Sequence, residues 1–233
     1  MKNAISSSRI RASAVWLSLL CVWFAHPAMA IEEPRYQVVL QDGDFEVRQY
    51  PSMLVAETEV EGDMDQASNA GFRRIADFIF GNNQAPGTDQ SAKIAMTAPV
   101  TVEPQSAKIA MTAPVTIEPQ SPDTQVQQAQ KWRVHFVMPS AYTLATLPKP
   151  NNSAVRIREI PGQHMVVLRY SGFNTMARVQ SKTDETLQWL QQHSLKALGT
   201  PQLSRYDPPW TLPMFRRNEI MVEVQAPTAA HVK

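Results

Sequence analysis

The chain has 233 residues, 43% of them hydrophobic, with 22 basic side chains against 21 acidic ones and a single cysteine. That length can bury one sizeable core. A net charge of +1 gives no general reason to expect nucleic acid or an anionic membrane as partner.

The N-terminus has the three parts of a secretory signal in order. Lys2, Arg9 and Arg11 give a positive start without any acid, an apolar run follows from Ala12 to Ala25, and Ala28-Met29-Ala30 after Pro27 is a small-x-small cleavage pattern. The run falls short of the roughly 20 apolar residues that a membrane span needs. Residues 1–30 are therefore expected to be removed on export to a periplasmic or secreted location. Cleavage would take away three cations and the only cysteine, Cys21, leaving a slightly acidic domain with no disulfide, thiol nucleophile or Cys-ligated metal. No later apolar run is long enough to leave a transmembrane anchor behind.

The mature chain opens with alternation. Tyr36 to Leu40, the turn signal Asp42-Gly43, and Phe45 to Tyr50 predict a hairpin. Beyond Pro51, Met53 to Val60 predicts a third strand, completing a meander. Asp63 or Asp65 can cap a helix whose stripe is Ala67, Phe72, Ile75, Ala76 and Ile79, and Gly81 is placed to stop it. Residues 82–90 read as a loop.

Ser91 to Gln105 then reads SAKIAMTAPVTVEPQ and Ser106 to Gln120 reads SAKIAMTAPVTIEPQ. The tandem copies differ only at Val102 and Ile117. Such identity describes a duplication inside one element, since repeat architectures need three or more units. Each copy alternates like a half-buried strand, with a proline near the middle that favours an edge or a bulge. The spacing does not say which copy docks as a strand.

Gln120 to Gln130 is a polar linker. Trp132 to Met138 alternates as a strand, and Val155 to Ile160 with His164 to Tyr170 predicts a hairpin around Pro161-Gly162. Asn174 can cap a second helix striped by Met176, Val179, Thr183, Leu187 and Leu190. Strands follow at Leu203 to Tyr206 and Glu219 to Val224, and residues 227–233 read as a frayed tail. The order strands–helix–strands occurs twice. This predicts an α+β domain over 31–226 in which a curved, mainly antiparallel sheet carries two long helices.

Familiar catalytic motifs are missing: there is no Gly-x-Gly phosphate loop, no His-Glu-x-x-His and no Gly-x-Ser-x-Gly. His135, His164, His193 and His231 lack metal-ligand spacing, and His135 reads as a buried sheet histidine. Glu57, Glu59 and Glu61 share one strand face. Glu219, beside Arg216-Arg217, is either an ion-paired strand cap or a buried base.

Three segments resemble the SOUL haem-binding family: Gly71-Phe-Arg-Arg-Ile-Ala-Asp-Phe-Ile-Phe-Gly-Asn-Asn83; Lys-Ile-Ala-Met-Thr-Ala-Pro-Val at 93–100 and 108–115, followed by Trp132-Arg-Val-His-Phe-Val-Met-Pro139; and Asp207-Pro-Pro-Trp-Thr-Leu-Pro-Met-Phe-Arg-Arg-Asn-Glu219. The likeness spans roughly residues 32 to 225, and the duplicated strand departs from it. The resemblance implies a distorted antiparallel β-barrel with two flanking helices, built from two similar halves. It implies non-enzymatic binding of haem, a related tetrapyrrole or another flat apolar ligand beside the first helix. Phe72, Ile75, Ala76 and Ile79 would supply apolar surface there, and Arg73 and Arg74 would meet the propionates. No iron ligand is assigned. The two-halved layout also resembles GyrI-like domains, some of which hydrolyse or sequester small molecules with a buried glutamate. Glu219 is the candidate base on that alternative.

Overall fold

A computed structural model describes residues 32–87, 115–119, 129–208 and 210–227. The expected leader and most of the duplicated segment lie outside them. Eleven strands and two long helices occur in the order β1 (Gln37–Asp42), β2 (Phe45–Tyr50), β3 (Met53–Glu61), α1 (Met64–Ile79), β4 (Asn83–Gln84), β5 (Val115–Pro119), β6 (Lys131–Val137), β7 (Lys149–Pro150), β8 (Arg156–Ile160), β9 (Gln163–Tyr170), α2 (Met176–Gln192), β10 (Gln202–Arg205) and β11 (Asn218–Val224). Among the described residues, no helix is long and apolar enough to cross a membrane.

Nine strands form one antiparallel sheet in the order β1-β2-β9-β11-β10-β5-β6-β3-β8, while β4 and β7 pair separately. The sheet is two copies of one unit: β2β3α1β5β6 and β8β9α2β10β11. The units join where β5 pairs with β10.

Two of the expected connections are different in kind. β2 and β3 do not pair with each other, and neither do β8 and β9. Instead β2 pairs with β9 and β3 with β8. Tyr50 faces Gln163 and Met53 faces Ile160, so Pro51-Ser52 stand opposite Pro161-Gly162 and the register carries straight through. Each pair of strands is one long strand bent at a proline, which has no N–H for the ladder. Gly162 fits this corner closely, since a Cβ there would lie 3.3 Å from the Tyr50 carbonyl oxygen and the backbone would have to give by a few tenths of an ångström. The closed barrel implied by the resemblance is accordingly an open sheet whose edges, β1 and β8, do not pair.

β5 corrects another expectation. It comes from the second copy of the repeat and is an interior strand between β10 and β6, not an edge. Its proline causes no break because Pro119 is the terminal residue, opposite Trp132. The first copy, 91–105, lies outside the described residues.

Both helices cover the same face of the sheet. Asp63 caps α1 by accepting from the Gln66 amide at 2.8 Å. The helix lies so close to β6 that a Cβ on Gly71 would meet the Val134 side chain at 2.6 Å. Met64, Ala67, Ile75, Phe78 and Ile79 pack there with Trp132, Val134, Phe136, Leu168, Leu203 and Ile220 in the main core. Under α2, Trp189 and Leu190 pack on Val47, Val166 and Val222. The cap of α2 is Thr175 rather than Asn174. Asn174 instead accepts from the Tyr170 hydroxyl and donates to Asn218, tying the loop before the helix to β11.

Candidate ligand-binding site

The six helix residues named above separate by side. Ile75 and Ile79 have no exposed surface and Ala76 very little, so all three face inward. Phe72 is 40% exposed, with its ring 5.5 Å from that of Phe136. Arg73 is exposed, while Arg74 donates to the Glu59 carbonyl at 3.0 Å. Only Phe72 and Arg73 thus offer open surface. Neither of the two cavities described below is lined by any of the six.

A cavity of about 480 Å³ opens on the other half, between the end of β9, the first turns of α2 and the segment before β11. Arg169, Arg178, Lys182, Arg216 and Arg217 line it, with Asp44 as the acidic member. Beside it runs an apolar strap. Trp210 is 81% exposed, Phe215 72% and Met214 64%, and Leu212 and Phe173 are also mostly exposed. The strap is held in place by bonds to its backbone carbonyls. Gly172 donates to the Pro213 carbonyl at 2.9 Å, and Arg216 donates to the Thr211 carbonyl at 2.7 Å while its guanidinium lies over Phe173. Arg178 is aimed by the Ser171 carbonyl at 3.0 Å. Cations and large apolar side chains therefore share one rim. Single exposed apolar residues are ordinary, whereas several on one short stretch beside cations make this rim the candidate binding surface.

Sequence reading passed over this site. Trp210 to Phe215 stands out in the sequence only through the resemblance, Arg216-Arg217 only as neighbours of Glu219, and Arg169, Arg178 and Lys182 come from elements distant in sequence. The local signal was Trp-Thr-Leu-Pro-Met-Phe-Arg-Arg, in which large apolar residues follow two prolines with no alternation to bury them.

Glu219 occupies the opposite face of the sheet and is fully buried. Its carboxylate accepts four hydrogen bonds: from Arg48 at 2.9 and 3.1 Å, from the Tyr206 hydroxyl at 2.6 Å and from Arg217 at 3.0 Å. Burial opposes its charge, but the hydrogen bonds and charge of Arg48, with Tyr206 and Arg217, prevail and hold its pKa below the usual carboxylate value. With about four lone-pair positions all engaged, it has none left to take a proton from water. The ion-paired alternative is the observed one.

The pairing of strands extends this site into a row. Glu219 faces Ser204, Ser204 faces Thr116, Thr116 faces His135 and His135 faces Glu57. Thr116 and Ser204 hydrogen bond across the junction of the halves at 3.0 Å. His135 and Glu219 hold equivalent places in the two units. Burial, then the charges of Arg158 and Arg133, pull the His135 pKa down to about 3, so the ring is neutral. Glu57 is held by Arg158 at 2.8 Å, and Glu118, whose pKa burial raises, meets Arg133 at 2.6 Å. Among the described residues no group of three or more His, Cys, Asp or Glu side chains could hold a metal ion. A second cavity, of about 370 Å³, lies by the corner between Glu32–Arg35, Pro51–Leu54 and Val137–Leu144.

Comparison with known proteins places this arrangement. The C-terminal domain of EcmrR superposes with a TM-score of 0.55 at 13% identity, covering 82% of this chain and 99% of that domain. EcmrR in its complex with DNA gives 0.54 at 13% identity, over 81% of this chain and 57% of that one. These likenesses concern the fold. A hydrolase from Listeria innocua is more distant, at a TM-score of 0.47 and 13% identity over 80% of this chain and 94% of its own. None of the curated proteins matches the sequence. The SOUL heme-binding protein family, in contrast, matches over residues 31–108 and 103–223, and each segment contains one copy of Lys-Ile-Ala-Met-Thr-Ala-Pro-Val. The duplication is thus an insertion within a family domain, and the chain belongs to the SOUL heme-binding protein family.

Proposed function

We propose that the protein binds haem or a related tetrapyrrole, without catalysis, on the strap and basic cavity between β9, α2 and β11. The observation that carries this reading is the joining of exposed Trp210, Met214 and Phe215 to a cavity lined by Arg169, Arg178, Lys182 and Arg216. A porphyrin is a flat apolar ring with two carboxylates on one edge. Its ring needs a broad apolar surface, and its carboxylates need guanidinium forks. Phe173, Met214 and Phe215 fit the first need, and Arg169, Arg178 and Arg216 fit the second. Each charge-assisted contact contributes about 1.5–3 kcal/mol when desolvated and less when exposed. The helix α1 site remains the competing location, with Phe72 and Arg73 as its accessible members.

Protoporphyrin and its dimethyl ester separate this reading from simple apolar adsorption. Fluorescence titration should show the free dicarboxylate binding at least tenfold more tightly. Equal affinity would remove the arginines from the account. We also place the protein in an exported compartment, on the order of positive start, apolar run and Ala-Met-Ala in residues 1–30. Mass spectrometry of the exported protein should find Ile31 at its N-terminus, and a retained Met1 would refute that assignment.

A further inference from the structure

We infer that the strap is also a docking face for an anionic lipid surface, so that membrane and tetrapyrrole compete for it. This rests on the reading of the strap as the ligand face and names the partner that meets it when no ligand is bound. The overall charge gave no hint of it, because the near balance of acids and bases conceals their local separation. Arg169, Arg178, Lys182 and Arg216 gather around one opening with only Asp44 among them, while Arg217, also at the rim, gives its guanidinium to Glu219 and Glu33. Lys182 also pairs with Glu185, at 2.6 Å, so the excess rests mainly on the arginines.

The apolar members have the character of interfacial residues. Trp210, the most exposed large apolar side chain, stands with Leu212, Met214 and Phe215 on a single six-residue stretch, and Phe173 adjoins them through Arg216. Exposed large apolar side chains beside guanidiniums suit a membrane interface. There, aromatic side chains settle at the level of the headgroups and long cations reach lipid phosphates. The stretch is also held in shape, by the bonds Gly172 to Pro213, Phe215 to Leu212 and Arg216 to Thr211. Little ordering is then required on docking. Neutral lipid would satisfy the rings but not the arginines, so the partner is an anionic surface. A porphyrin lying over Met214 and Phe215 would cover the atoms that insert, which makes the two occupants exclusive. Contact with a membrane would then favour release of the bound ring.

Sedimentation with vesicles tests this. The protein without ligand should bind vesicles of phosphatidylglycerol and phosphatidylcholine at least fivefold more than vesicles of phosphatidylcholine alone, and less as salt is raised. Trp210→Ser with Phe215→Ser, both on exposed side chains, should cut binding at least tenfold with an unchanged melting temperature. Saturation with hemin should lower it comparably. Equal binding to both vesicle types, or full binding by the double variant, would overturn the proposal. So would self-association of the protein that the double variant abolishes, since the occupant is then a second copy. Hemin titration of the same preparation keeps the two readings apart. Hemin binding without vesicle binding defeats the docking alone, whereas vesicle binding without hemin binding defeats the tetrapyrrole reading.

Discussion

Arg48 and Glu219 meet through two parallel hydrogen bonds of 2.9 and 3.1 Å, although 171 residues separate them in sequence. They join β2 of the first unit to β11 of the second, and both side chains are all but fully buried. Arg48 is further held by Glu46 at 2.6 Å and lies under the Tyr36 ring at 4.3 Å from its centre. A pair this deep contributes little against apolar residues of the same shape, but breaking it strands a charge. Arg48→Met or Glu219→Gln should each reduce the unfolding free energy by about 3–5 kcal/mol, read from urea denaturation. The double variant should lose clearly less than the sum of the two. Losses that add would show that the residues do not act as a pair.

His135 makes stability depend on pH in a defined window. In the fold its pKa lies at about 3 because burial, then Arg158 and Arg133, disfavour the charged ring. In the unfolded chain it takes a proton near the ordinary value of 6.5. Between these values the unfolded chain binds the extra proton, so stability is complete above about pH 6.5 and drains away as the pH falls. Glu219, whose folded pKa is depressed, adds a loss of the same sign only below the ordinary carboxylate range. Between pH 6.5 and 5 the loss, at most about 1.4 kcal/mol per pH unit, should belong to His135, opposed by a gain from Glu118, whose folded pKa burial raises. Denaturation curves over this range should flatten in His135→Gln, and a slope equal to that of the parent would assign it to another group.

The duplication gives a prediction particular to this chain. β5 uses Val115 to Pro119, with Ile117 buried against Val134 and Leu203. The first copy offers the same strand at Val100 to Pro104, with Val102 in place of Ile117. Deleting residues 91–105 should leave the fold intact. Deleting 106–120 should let the first copy fill the slot at the cost of one buried methylene, about 0.5–1.5 kcal/mol. Both deletions keep the same loop length, so the difference in their unfolding free energies isolates Val against Ile. Unfolding of either deletion would mean that both copies are integral to the domain.

The repeated unit was legible because each strand and helix has its own period and its own punctuation, as Asp63 before α1 shows. The corner was not. Pro51-Ser52 and Pro161-Gly162 look like reversals, and whether a chain reverses or bends depends on its neighbours. Tyr50 opposite Gln163 settles it, and that pairing is non-local. The place of β5 in the sheet was hidden for a similar reason. A proline counts against an interior strand only if it falls inside the ladder, and Pro119 stands at its end. In the candidate site the arginines converge from β9, α2 and the approach to β11, so no stretch of sequence displays them together. The helix α1 residues were visible as a stripe, but a stripe marks the buried side, and Ile75 and Ile79 lie there.

Hemin titration followed at the Soret band tests the central claim most directly. Three proteins suffice: the parent, Arg169→Glu with Arg178→Glu in the basic cavity, and Arg73→Glu with Arg74→Glu on α1. A saturable shift at one hemin per chain is expected in the parent, with affinity lowered at least tenfold by the cavity pair and within twofold of the parent for the helix pair. No saturable shift in the parent would contradict tetrapyrrole binding, and a loss confined to the helix pair would place the ligand on α1 instead of the strap.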